Sequence, residues 1–215
     1  MTNSLKSIKV GLMVRIWGGV QPKVRLSDVV FSQPIAGHPG VVQWDMGKMQ
    51  SGGYERTGAL NRPPNAVLTA IDQLKNENKI IGSKADEPWD KTARKHPHLA
   101  SKYIRCDFLK VALLDTETQI YYGLIASGNR VIKDAKFRNA LVKDFSGKLR
   151  CIEMEAAGQI NEEFPCIVIR GICDYADAAK NKEWQEYAAA TAAAFAKELL
   201  GYVQPSDVDT GKGYT

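Results

Sequence analysis

Cysteine, histidine, long apolar runs and a dominant charge are all scarce in this sequence, and each scarcity excludes something. Cysteine occurs four times, at 106, 151, 166 and 173. No CxxC pair is present, and the gaps fit neither a zinc ribbon nor a zinc finger. Cys151, Cys166 and Cys173 lie in apolar stretches, where reduced, buried thiols are expected. The three histidines, His38, His96 and His98, form no HExxH motif and no Ser/His/Asp arrangement, so no metal site is expected. No apolar run approaches the roughly 18–20 residues of a membrane-spanning helix. The opening MTNSLKSIKVGLMV lacks the long apolar core and small-residue cleavage site of a secretory signal. A cytoplasmic chain with no membrane partner is the expectation. Charge is nearly balanced, 29 basic against 24 acidic residues for a net +5. Nucleic-acid binding calls for Lys/Arg clusters interleaved with aromatics. The densest basic cluster, Lys91 to Lys102, reads instead as a solvated insert, so nucleic acid is not an expected partner.

What is present suits one sizeable α/β domain. The 215 residues are 44% hydrophobic and 25% charged, enough to bury a core without disulfides. Ile8 to Val14 is a short apolar run that ends at Gly18-Gly19, as a buried strand entering a turn would. Val24 to Ser32 is a second strand candidate, and Val41 to Met49 alternates like a half-buried third. Ser51 to Pro64 reads as loop. A helix follows from about Pro64 to Leu74, with Val67, Leu68, Ile71 and Leu74 on one face. Residues 76–118 read as a variable insert within the domain. Gln119 to Ala126 is a strand that ends in Ser127-Gly128-Asn129. Asp134 to Phe145 is a helix, Leu149 to Glu153 a strand, and Ala156 to Glu163 a short helix. PCIVIRGICD is a buried strand ending on an acid. The final helix carries Trp184, Tyr187, Ala188, Thr191, Phe195, Leu199 and Tyr202 at helical spacing. The domain spans 1–204, and 205–215 is a polar tail.

Alternating strands and helices predict a three-layer α/β domain, a central mixed sheet flanked by helices. In such sheets ligands bind beyond the carboxyl ends of strands. Three segments put polar groups there: Ser127-Gly128-Asn129, Glu153-Met154-Glu155 and Cys173-Asp174. An acid at the end of an apolar strand, as Asp174 is, can donate a proton to a leaving group. A carboxylate such as Glu155 can accept hydrogen bonds from vicinal hydroxyls and favour positive charge on a sugar ring. Taken singly, Asp174 reads as a helix N-cap, Glu155 as an acid placed at a helix N-terminus, and Met154 as core.

Together these segments resemble a known family. CIEMEAAGQINEEFPCIVIRGICDYAD looks like the signature half of the nucleoside phosphorylase/nucleosidase superfamily. VVQWDMGK, GALNRPP, YYGLIASGNRVIKD and NKEWQEYAAATAAAFAKELL are similar to the nucleoside phosphorylase-like domains of fungi. The resemblance covers Val10 to Leu200. It implies cleavage of the N-glycosidic bond of a purine nucleoside or nucleotide, with phosphate or water attacking the anomeric carbon. It implies no cofactor, phosphate as a possible co-substrate, and a homo-oligomer. Asp174 would protonate or hydrogen-bond the purine N7 as the base departs. Glu155 would bind the ribose hydroxyls, with Met154 against the sugar and Glu153 beside it. Ser127, Asn129 and Val131 would line the base pocket, and Gly18 and Gly19 the turn below it.

Two departures from the family pattern carry their own expectations. Relatives have a GIGGGV-like turn where this chain reads Arg15-Ile16-Trp17-Gly18-Gly19-Val20. Side chains at 15 and 17 would fill the pocket floor or bend the turn; an Arg15 that binds phosphate is the alternative. Relatives also begin with strands and helices ahead of the strand at Ile8, so the resemblance implies an N-terminally truncated domain. Both departures favour the competing expectation, a catalytically impaired nucleoside-binding or self-associating module.

Overall fold

The computed structural model describes residues 10–57, 59–81, 94, 95, 97, 118–158, 166–179 and 182–204. Its elements run β1 (Gly11–Gly19), β2 (Val29–Ser32), β3 (Val41–Gln43), β4 (Gly47–Gln50), β5 (Gly53–Arg56), α1 (Asn65–Ile81), β6 (Ile120–Ser127), α2 (Ala135–Asp144), β7 (Leu149–Glu153), a single 3-10 turn (Ala156–Gly158), β8 (Cys166–Asp174) and α3 (Gln185–Leu200). Six strands form one mixed sheet in the order β2-β8-β1-β7-β6-β3, and β2 also pairs with β6. That extra pairing closes five of the strands into a ring, with β3 attached outside against β6. Helices cover the sheet, as expected for the α/β class.

Alternation along each strand explains the layers. Val30, Ile125, Cys151, Val168 and Ile172 point into the closed sheet with Met13 of β1. Their neighbours Phe31, Ile167 and Ile169 face outward, under Ile71 and Leu74 of α1 and Phe195 and Leu199 of α3. Leu124, Ala126 and Leu149 face α2 through Leu141, with Phe145 just beyond that helix. Every residue of β8 is buried, which is why CIVIRGICD reads as a continuous apolar run rather than an alternating one.

Several expected boundaries move. Val24 to Asp28 is a turn and not strand, because the Asp28 carboxylate accepts the Arg25 and Gln119 backbone N–H groups at 2.7 and 3.1 Å. Only Val29–Ser32 joins the sheet. The alternating stretch from Val41 splits at Trp44-Asp45-Met46, and β4 leaves to form a hairpin with β5 inside the expected loop. Alternation marks a strand and is silent on which sheet the strand joins. α1 continues to Ile81, into the expected insert, through a stretch without Gly or Pro to stop it. Most of that insert, the basic cluster around Lys91 apart from the exposed Arg94 and Lys95, Cys106, residues 159–163 and the tail lie outside the described residues. Among those described, no helix is long and apolar enough to cross a membrane.

Candidate functional site

The two ends of the ring meet at Gly18. β1 runs parallel to β8, and β7 parallel to β6, but β1 touches β7 antiparallel over only Gly18↔Ile152 and Gly19↔Cys151. The carboxyl ends of two parallel ladders therefore converge on one junction, a switch point of the kind that holds ligands in α/β sheets. Gly18 also pairs with Asp174, after an irregularity that leaves Cys173 as the extra residue in β8. Such a bulge re-aims the side chain that follows it. Two strand spacings separate Asp174 from Ile152, about 10 Å between their backbones.

Asp174 is 8% exposed. Its Oδ1 accepts the Ala176 N–H at 2.8 Å, and Cys173 Sγ lies 3.7 Å from Oδ2. Gly18 packs directly below: a Cβ there would lie 2.8 Å from Asp174 Oδ1 and from the Ala176 backbone nitrogen. The loop beyond is pinned by Arg138 of α2, a buried side chain whose Nη1 donates to the Tyr175 carbonyl at 2.6 Å and stands 3.6 Å from the Asp177 carboxylate. The Asp174 side chain thus caps its own loop while remaining at the junction; the N-cap expected of a lone Asp finds no helix in residues 175–179.

Glu155 sits on the other side, on a turn held from below. Glu153 is fully enclosed; its oxygens accept the backbone N–H groups of Glu155 and Ala156 at 3.1 Å and receive Arg170 Nη2 at 2.6 Å. Ser127 is enclosed too, its Oγ accepting the Ala157 N–H at 2.9 Å. Glu153 and Ser127, expected to touch ligand, instead face into the protein and shape the Glu155 turn. Glu155 keeps 23% of its side chain exposed and is met by two guanidinium groups, Arg15 Nη1 at 2.8 Å and Arg170 Nη2 at 3.4 Å. Met154 is half-buried beside it. Burial pushes the thiol of Cys151, just beneath, well above its usual range against the opposing pull of Arg170.

The third segment forms a shelf. The Asn129 N–H donates to Asp45 Oδ2 at 2.6 Å, and Val131 is 47% exposed. Trp44 lies so close to Gly128 that a Cβ there would meet its Nε1 at 2.3 Å, and Phe137 meets Trp44 edge-on. Gly19 is buried under Val24 and Ile172, so it packs the turn. Among the described residues no group of three or more His, Cys, Asp or Glu side chains could hold a metal ion. Arg170 and Arg138 escaped the sequence reading. For Arg170 a signal existed, a lone charge in the middle of an apolar strand; for Arg138, one basic residue on an amphipathic helix, none did.

The chain is 39% identical over 236 residues to a nucleotide-binding leucine-rich repeat (NLR)-like protein of Hyaloscypha variabilis, covering 95% of this chain and 23% of that protein. It therefore spans about a quarter of the length of the curated relative it matches. No family model matches the sequence. The fold is similar to that of the 5′-methylthioadenosine/S-adenosylhomocysteine nucleosidase of Colwellia psychrerythraea, solved in complex with adenine, with a TM-score of 0.60, 18% identity and coverage of 94% of this chain and 70% of that one. Futalosine hydrolase of Helicobacter pylori gives a TM-score of 0.58 at 17% identity, covering 93% and 72%. The methylthioadenosine/S-adenosylhomocysteine nucleosidase of the same organism gives the same values. These likenesses show a shared α/β fold.

Proposed function

We propose that this chain is a cytoplasmic domain that cleaves the N-glycosidic bond of a purine nucleoside or nucleotide and releases the free base. The observation that carries the reading is the junction at Gly18, which brings the strand ends bearing Asp174 and Glu155 together. One bond cleavage has opposite needs at its two ends. At the base, electrons of the breaking C–N bond flow into the purine, and Asp174 supplies or shares the proton that N7 takes up. At the sugar, positive charge grows on the ring, and Glu155 accepts the ribose hydroxyls and stabilises that oxocarbenium-like state. Water or phosphate then bonds to the anomeric carbon; water gives the free sugar and loses a proton, and phosphate gives the sugar 1-phosphate. Met154 packs under the sugar, the Val131 backbone meets the purine edge, and Asn129 stands near it. No cofactor enters this scheme, and homo-oligomerisation is part of the proposal. The fold shared with proteins described as nucleosidases supports it.

One observation favours a second reading, a nucleoside-binding or self-associating module without turnover: Arg15 stands on the Glu155 carboxylate. Incubating the protein with adenosine, inosine, ATP and methylthioadenosine, with and without phosphate, separates the two. Free base is expected, with a loss of about 100-fold or more in Asp174→Asn and Glu155→Gln variants that keep their circular dichroism. A nucleoside-dependent thermal shift without base release would instead establish the binding module. Neither shift nor release would refute both.

A further inference from the structure

Arg138 lies in the first turns of α2, four residues past the N-cap Asp134. Its guanidinium is buried, and a buried cation must recover its lost hydration from the partners it meets. Nε bonds the neighbouring Asn139 at 3.1 Å, while Nη1 leaves the helix for the Tyr175 carbonyl at 2.6 Å, with Asp177 at 3.6 Å. Each end of that reach belongs to the proposed purine site. α2 directly continues the segment 129–131, and its start is fixed by Asp134 accepting the Lys136 and Phe137 N–H groups. Phe137, next to Arg138, rests edge-on against the Trp44 that packs on Gly128. At the other end, the Ala176 N–H aims Asp174 Oδ1. Ala176 holds φ at 52°, a left-handed backbone that a non-glycine residue keeps only where its surroundings impose it. Arg138 grips the peptide just before it, and the Leu26 N–H donates to the Tyr175 hydroxyl at 3.2 Å. One side chain therefore spans from the segment that would face the base to the loop that aims Asp174. A proton passes to N7 only at hydrogen-bond distance, and a misplacement of about 1 Å can cost about 100-fold in rate.

We propose that Arg138 is a positioning residue for the purine end of the reaction: it ties the Asp174 loop to the segment 129–131 and so sets where the proton is delivered. This rests on reading Asp174 as the proton donor.

The test uses the whole chain as wild type, Arg138→Met and Arg138→Lys, each alone and combined with Asp174→Asn. Amide hydrogen exchange is followed across 175–179, with 167–172 as the control. Cleavage is measured on adenosine and inosine, with and without phosphate, and on 4-nitrophenyl riboside, whose leaving group departs without a proton. In Arg138→Met the 175–179 amides should exchange about 10-fold faster or more while 167–172 stay protected. Its kcat on purine nucleosides should fall about 10- to 100-fold with KM within about twofold. Nitrophenyl riboside cleavage should change by less than about threefold, and the Asp174→Asn background should show no further loss on purines. Arg138→Lys keeps the cation without the planar fork, so it should show the same pattern at smaller size, and it decides the matter if the Met variant does not fold. Unchanged exchange at 175–179, equal losses on both leaving groups, or a full additional loss beside Asp174→Asn would each overturn the proposal while leaving the cleavage reading in place. If wild type binds adenosine without cleaving it, the catalytic reading falls and affinity reports the link. Arg138→Met should then weaken binding about tenfold alone but not beside Asp174→Asn, and equal weakening on both backgrounds overturns the link. A wild type that neither binds nor cleaves sinks both.

Discussion

Replacing Arg170 by Met tests the frame on which the site stands. Arg170 and Glu153 are each fully buried and meet at 2.6 Å. Methionine fills much of the space of the arginine stem but leaves the Glu153 charge behind. Breaking a buried pair by removing one partner costs about 3–5 kcal/mol, because the survivor is an uncompensated charge. Glu153 would retain the two backbone N–H groups of Glu155 and Ala156, so the lower end, about 3 kcal/mol, is expected. Against a total stability of about 5–15 kcal/mol, that is a large fraction. With a urea slope of about 3 kcal/mol per molar, the midpoint should fall by about 1 M. Adding Glu153→Gln removes the stranded charge and keeps an acceptor for the turn, so the double variant should regain about 1.5 kcal/mol or more. A single-variant loss under about 1 kcal/mol, or strictly additive losses in the double variant, would refute the account of Arg170 and Glu153 as a mutually dependent pair.

Two further outcomes follow from packing. In Gly171→Ala the new Cβ would lie 1.9 Å from the Ala188 carbonyl oxygen, a backbone atom of α3 that cannot rotate away. A loss of about 1–3 kcal/mol in denaturant unfolding is expected, and a change under about 0.5 kcal/mol would contradict the seating of α3 on β8. Burial raises the thiols of Cys151 and Cys166 above the ordinary value of 9.0, so native protein at pH 8 should resist alkylation at both positions, while urea-unfolded protein reacts, as read by peptide mass spectrometry. Because the unfolded chain releases those protons first, stability should fall as pH climbs past about 9; equal alkylation rates in native and unfolded protein would count against the burial.

Legibility followed the range of the interaction. Leu149–Glu153 and the helix capped by Asp134 were readable because local signals decide them: apolar Leu149, Cys151 and Ile152 in one case, and a carboxylate accepting the Lys136 and Phe137 N–H groups in the other. Ser127, Glu153 and Asp174 do end their strands, as local pattern led one to expect. What escaped depended on contacts distant in sequence. Nothing near Ser127 or Glu153 announces that their oxygens turn inward to receive the 155–157 backbone. Nothing near Arg15 announces Glu155, 140 residues away. The β2–β6 pairing that closes the ring joins two strands separated by the longest stretch of the chain whose pattern could not be read.

The buried pair also bears on why Glu155, and not its neighbour Glu153, is the carboxylate proposed to meet the sugar. Two acids two residues apart could compete for the same ligand and for each other's cation. Full enclosure commits Glu153 to Arg170 and to the turn, which leaves Glu155, among the described residues, the partly open acid at β7's carboxyl end. A pair of charges inside a closed sheet is rarely the most stable filling; apolar residues of similar volume often do as well or better. Its use here is positional. Arg170 reaches both acids with one nitrogen, so the distance between the Glu155 turn and the β8 strand that carries Asp174 is set by a single guanidinium. Lengthening or neutralising that link should misplace Glu155 relative to Asp174 even where the fold survives, and the cleavage proposed for this site depends on both acting on one sugar–base bond.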